Sequence, residues 1–252
     1  MIVYSARTDI GRRRPLNEDA ILAEEGLLIL CDGMGGHKAG EVAAKLAVDT
    51  IAAFVRRSGE DPELTWPYGF DPHISYNGNR LRTAVKLANR TVFRKAASAD
   101  EYTGMGTTVV AVMVSPSRRP SMTYTHVGDS RIYLVRKGVI LQLTRDDSWA
   151  NFGWESAARD DAPSVNMKNV LTKALGARDE VDFEIKDSPL SEGDTLLLCS
   201  DGLTNMLADA QILDTIARGG EDLERACDDL VAGANAEGGR DNISVILARF
   251  TA

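Results

Sequence analysis

Cysteine is scarce in this chain, with three in 252 residues, and so are positive charge and long apolar runs. Cys31, Cys199 and Cys227 form no CxxC pair, and their odd number leaves one thiol unpaired under any disulfide scheme. That excludes a disulfide-stapled scaffold and fits a reducing compartment. No apolar stretch approaches the length of a membrane span, and Met1 to Asp9 has neither the charged head nor the apolar middle of a signal peptide. A cytoplasmic protein without membrane insertion is expected. Lys and Arg number 29 against 37 Asp and Glu, for a net charge of −8, and no basic stripe is present. This balance disfavours nucleic acid as a partner, and with it a two-metal nuclease. Low-complexity linkers and repeated periods are also missing. Residues 1–252, with 44% hydrophobic content, are therefore expected to form a single domain.

What is present is a dense set of short strand-like runs. They fall at Ile2 to Arg7, Ile21 to Ala23, Leu27 to Cys31, Thr107 to Val114, Ser121 to Val127, Arg131 to Arg136, Val139 to Thr144, Val181 to Ile185, Thr195 to Cys199 and Asn242 to Phe250. Lys137-Gly138 between two of them reads as a hairpin turn, which implies antiparallel pairing. Helical spacing of apolar residues marks Gly40 to Arg57, Arg80 to Ala97, Ala208 to Arg218 and Leu223 to Ala236. Strands and helices cluster rather than alternate, which predicts antiparallel sheets covered by helices. Two stretches match neither template. Asp61 to Asn79 holds three prolines among Trp66, Tyr68 and Phe70, and Arg145 to Lys168 holds Trp149, Phe152 and Trp154 among acidic residues. Both are expected to be ordered loops, whose aromatics either pin the connection to the core or offer a docking surface.

Five short acidic motifs recur along the chain: Asn17-Glu18-Asp19, Asp32-Gly33, Gly128-Asp129-Ser130, Ser200-Asp201-Gly202 and Asp241-Asn242. Several sit at the ends of apolar runs, where a carboxylate projects from a rigid floor. Carboxylates gathered from such distant positions repel one another. A shared divalent cation relieves that penalty, and oxygen ligands suit Mg²⁺ or Mn²⁺.

Together with Gly11-x-x-Arg14-x-x-Asn17-Glu18-Asp19, Asp32-Gly33-Met34-Gly35-Gly36-His37, Gly104-x-Gly106-Thr107-Thr108, Gly128-Asp129-Ser130-Arg131 and Gly239-Arg240-Asp241-Asn242, these motifs carry a family likeness. In order and spacing the chain resembles the bacterial branch of the metal-dependent PP2C-type (PPM) Ser/Thr protein phosphatases. The resemblance implies an α+β fold, a four-layer α-β-β-α sandwich of two antiparallel sheets flanked by helices, with a two-metal site in a cleft at one end. Phosphomonoester hydrolysis is among the slowest uncatalysed reactions, and two divalent ions about 4 Å apart serve it by sharing an acidified water and clamping phosphoryl oxygens.

The resemblance assigns roles residue by residue. Asp32 is implied as the bridging ligand, with the Gly33 carbonyl beside it on one ion and Asp201 and Asp241 on the other. Asp129, with Asp201, matches the position of a third, weaker metal. Glu18 and Asp19 are implied as supporting carboxylates, and Asn242 as the residue that fixes the loop of Asp241 and reaches a bound water. Arg14, selected over Arg12 and Arg13 by its spacing from Gly11, is implied to bind the substrate phosphate through parallel hydrogen bonds. His37 is the candidate for protonating the leaving alkoxide, although the animal members carry their histidine where Met34 stands. Where bacterial relatives often show Asp-His-Ser, this chain has Asp146-Asp147-Ser148, a departure that bears on substrate choice. The implied partners are phosphoserine and phosphothreonine proteins, a Ser/Thr kinase or its substrates, acted on by a monomer. The rival readings are the same chemistry on a small phosphorylated regulator of a secretion or sigma-factor pathway or on a free phosphometabolite, and a catalytically silent phosphoprotein-binding or metal-sensing module. Retention of a complete, mutually repelling carboxylate set argues against the silent one.

Overall fold

Apolar residues occupy both faces of the central strands because each sheet is covered on both sides. In a computed structural model describing residues 1–35, 39–61, 63–115, 119–149 and 170–251, the described strands form two antiparallel sheets. The first runs in the order β1 (Ile2–Asp9), β11 (Ile243–Phe250), β10 (Thr195–Cys199), β7 (Arg131–Arg136) and β8 (Val139–Gln142). The second runs β2 (Asp19–Glu24), β3 (Leu27–Met34), β5 (Val109–Ser115), β6 (Ser121–Val127) and β9 (Lys186–Pro189), with β4 (Gly106–Thr107) paired to the end of β3. The tight connection of β7 to β8 uses Lys137 at φ 52° and Gly138 at φ 77°, the left-handed pair that a two-residue hairpin demands.

The period-two alternation decides the layers. Leu28 and Leu30 of β3 meet Leu196 and Leu198 of β10 and Ile246 of β11 between the sheets. Their neighbours Leu27, Ile29 and Cys31 face the other way, against Ile51 of α1 (Gly40–Glu60) and Leu81 and Val85 of α2 (Tyr76–Ala96). On the far side, Leu197, Cys199, Val245 and Leu247 pack on Ile212 and Ile216 of α4 (Asp209–Gly219) and Leu230 of α5 (Leu223–Ala236). Most residues of the central strands β3, β10 and β11 are thus buried against one layer or the next, which is the four-layer α-β-β-α sandwich.

Several boundaries shift by a few residues, and three differences from the sequence reading change an element. Val181 to Ile185, expected as a strand, carries no ladder. Val181, Phe183 and Ile185 pack as an extended segment against the helical side of the core, and pairing to β6 begins only at Lys186. The expected strand from Thr107 splits at Thr108 into β4 and β5. α2 begins at Tyr76, inside the region expected as loop, because Ser75 caps it by accepting from Gly78 N–H. The remaining connection is pinned by aromatics: Trp66 makes edge contacts with Phe54, Phe70 and Tyr76 at centroid distances of 6.2, 5.6 and 5.8 Å. Of the tryptophan-containing stretch after Thr144, residues 150–168 lie outside the described residues.

Candidate active site

The ends of β3, β6 and β10 and the start of β11 meet at one end of the sandwich, which brings the acidic motifs together. Asp32 is held there by its backbone. Its N–H donates to Thr108 Oγ1 at 3.0 Å, and its carbonyl accepts from Thr107 Oγ1 and Thr108 N–H at 2.9 Å each. Thr108 shares a further 2.8 Å hydrogen bond with Ser130, beside Asp129. These threonines fix the position of Asp32 and couple it to the Gly128–Ser130 turn. Gly33 is required by close packing: a Cβ there would stand 2.1 Å from the Gly40 carbonyl oxygen and 2.5 Å from that of Glu18.

Asp19 lies directly across the β2/β3 ladder from Asp32. One of its carboxylate oxygens accepts from Ser200 Oγ at 2.9 Å, while the other, Oδ1, is buried without a hydrogen-bond partner. Glu18 sits beside the backbone of Gly40 at the start of α1, whose N–H favours its charged form against burial, and its own N–H donates to Asn242 Oδ1 at 2.9 Å. Asn242 is buried, and its amide donates to the carbonyls of Ile10 and Leu16 at 2.9 Å each. Both donors are thereby spent on backbone, and Asn242 holds the Ile10-to-Glu18 loop against β11.

Asp201 opens the short helix α3 (Asp201–Thr204), where Asn205 donates to its Oδ2 at 3.0 Å. Asp241 stands just before β11, and Arg14 Nη2 donates to its Oδ2 at 2.6 Å. Arg14, Glu18, Asp32, Gly33, Asp129, Asp201 and Asp241 line one cleft of about 450 Å³. Asp19 and Asn242 sit behind it, and His37 lies outside the described residues.

The electrostatics show how crowded these carboxylates are. Burial, then the charge of Asp19, Asp201, Asp129 and Asp241, raises Asp32 well above the usual carboxylate range. Burial and the neighbouring aspartates push Asp19 and Asp129 up to about 7, and burial and Asp241 push Asp201 up to about 6. Among the described residues, no group of three or more His, Cys, Asp or Glu side chains forms a ready cage for an ion. The donor chemistry nevertheless fits a hard divalent cation: the donors are oxygens, one is orphaned in the interior, and the like-charge penalty is large. Side-chain adjustment within the cleft would complete a coordination shell.

The family model for protein phosphatase 2C matches residues 12–248. The chain belongs to this family. Over 253 aligned residues it is 35% identical to the serine/threonine phosphatase stp of Listeria monocytogenes serovar 1/2a, covering 96% of this chain and 93% of that one. Its fold superposes on the crystal structure of the Mycobacterium tuberculosis serine/threonine phosphatase PstP with a TM-score of 0.82, at 29% identity, covering 100% and 99% of the two chains. A structure of the PstP catalytic domain in complex with two manganese ions matches with a TM-score of 0.81, at 30% identity, over 100% and 99%.

Two residues in and behind this PP2C-family cleft had no distinguishing sequence signal. Ser200 was visible only as the neighbour of Asp201, yet its hydroxyl bonds Asp19 and accepts from Ser244 N–H at 2.9 Å, joining β11 to the acid cluster. Lys173 lines the cleft from the segment that follows the 150–169 stretch, where no motif marks it.

Proposed function

We propose that this protein is a Mn²⁺- or Mg²⁺-dependent phosphatase that hydrolyses phosphoserine and phosphothreonine monoesters in proteins, opposing a bacterial Ser/Thr kinase. The observation that carries the reading is the convergence of Arg14 and four aspartates, from positions 14 to 241, in one cleft of a protein phosphatase 2C family member. The acting unit is a monomeric single domain of residues 1–252 in the cytoplasm.

Asp32 and the Gly33 carbonyl would hold one ion, Asp32 with Asp201 and Asp241 a second, and Asp129 with Asp201 a third, weaker one. Bound there, divalent ions would supply Lewis acidity toward the phosphoryl oxygens and an acidified water. The chain's own groups do the rest. Thr107 and Thr108 hold the Asp32 backbone in place, and Glu18 and Asp19 orient their neighbours. Arg14, which bonds Asp241 here, swings its guanidinium to the substrate phosphate and donates two parallel hydrogen bonds. His37 delivers a proton to the leaving serine or threonine oxygen.

The test is phosphate release from a phosphothreonine peptide with Mn²⁺, with Mg²⁺ and with EDTA, on wild type and Asp32→Ala. Release that depends on metal and disappears in the variant supports the reading. No release from folded wild-type protein under any metal would replace it with a silent phosphoprotein-binding module.

A further inference from the structure

Arg14 and Lys173 are the two cationic side chains among the described residues that line the cleft. They are anchored differently. Arg14 is bonded to Asp241, itself a cleft residue, whereas Lys173 Nζ pairs at 3.2 Å with Oδ1 of Asp147, which does not line the cleft. Lys173 therefore stands on the wall, together with Val170, Leu171 and Thr172, rather than over the acidic floor.

That wall is rigid where Lys173 springs from it. Asp147 Oδ2 accepts from Gly128 N–H at 3.2 Å, its backbone N–H donates to the Gly128 carbonyl at 2.9 Å, and its carbonyl accepts from Thr172 N–H at 2.8 Å. The preceding Asp146 is gripped by Arg131 Nε and Nη2 at 3.0 and 2.7 Å. Ser148 bridges to Leu171 as well. Asp147 is thus held by its backbone and by Gly128, with Oδ1 turned to Lys173, and its side chain is only 17% exposed. The ammonium of Lys173 carries three donors, and a single contact to Asp147 leaves donors pointing toward solvent from a side chain that is 41% exposed. Asp147 stands where the sequence departs from the Asp-His-Ser pattern. A carboxylate there holds a lysine by charge as well as by hydrogen bonding.

We infer that Lys173, positioned by Asp147, forms an anion subsite on the cleft wall that selects phosphopeptides with a carboxylate flanking the phosphoresidue. The inference rests on the phosphatase reading and deepens it. A cation on the wall gives a flanking glutamate or aspartate a partner of opposite charge beside the cleft. Because the subsite is partly solvated, its contribution is modest and screened by salt.

The test is a set of phosphothreonine peptides with glutamine at every flanking position, and a glutamate scanned singly through the three positions on each side. The readout is kcat/KM for each glutamate peptide relative to the all-glutamine peptide. Wild type is expected to favour at least one glutamate position by roughly five- to tenfold, through KM, with the preference shrinking as salt rises. Lys173→Gln should bring that ratio to about one and Lys173→Arg should retain it, since the charge is what matters. A merely structural lysine would lower turnover of all peptides equally and leave the ratio intact. That result, or a wild type with no glutamate preference at any position, overturns the subsite while leaving the phosphatase reading standing. Absence of hydrolysis of every peptide by the wild type would remove both.

Discussion

Asp241 serves two partners at once: Arg14 on Oδ2 and the Asn242 N–H on Oδ1, at 2.6 and 2.9 Å. An amide at this position would keep the shape and lose the charge. Asp241→Asn is expected to fold normally by circular dichroism but to lose at least the roughly hundredfold in turnover that marks the upper range for groups merely supporting a metal ligand. Full activity with an unchanged metal response would remove Asp241 from the site. If Arg14 binds the substrate phosphate as proposed, Arg14→Ala should raise KM for a phosphopeptide about tenfold with a smaller change in kcat, although it also removes the partner of Asp241. If both constants stay put, the phosphate contact belongs to a different group.

Elements, rather than single side chains, set the spacing of the floor. β3 and the first turn of α1 approach so closely at Gly33 and Gly40 that neither position has room for a side chain; a Cβ at Gly40 would stand 2.7 Å from Glu18 Oε1. Gly33→Ala therefore has to push β3 away from α1, and the expected cost is on the order of 3 kcal/mol in stability. Thermal or urea unfolding of the metal-free protein checks this, and a variant as stable as wild type would mean that α1 can shift without penalty. At the same scale, Asn242 ties the β1–β2 connection, which carries both Arg14 and Glu18, to β11. Motifs more than two hundred residues apart in sequence thus share one hydrogen-bonded joint.

For the molecule as a whole, the buried carboxylates couple stability to pH and metal. Asp19 and Asp129 are pushed up to about 7 and Asp201 to about 6, against about 4 for an aspartate in an unfolded chain. Between those limits the folded state binds more protons than the unfolded one. The stability these groups contribute is full below about pH 4 and is lost as pH rises through their folded values. The metal-free protein should therefore melt at a lower temperature at pH 8 than at pH 5. Asp129→Asn, which mimics the protonated form, should be more stable than wild type at pH 8 by roughly 1–3 kcal/mol, with the difference shrinking toward pH 4. Calorimetry without metal decides this, and a difference that grows on acidification would refute the burial of Asp129. Added Mn²⁺ should raise the melting temperature more at pH 8 than at pH 5, where protons compete for the same oxygens.

The amino-acid sequence by itself determined the layers and the order of the acidic motifs. Leu27 to Cys31 and Thr195 to Cys199 announce strands because every residue in them is buried, and Ser121–Val127, Arg131–Arg136 and Leu223–Ala236 were bounded as the structure has them. Such signals are local: a period of two or 3.6 is written in neighbouring residues. The short cap at Ser75 and the unladdered run at Val181 escaped because one depends on a single hydroxyl and the other on which strand edge remains open. Only the tertiary structure decided that Asp19 faces Asp32, that Thr108 and Ser200 serve the acid cluster, and that Lys173 reaches the cleft through Asp147. Those contacts follow from strand register and from how two sheets stack. These are set by the burial of the whole core, and no stretch of sequence encodes them alone.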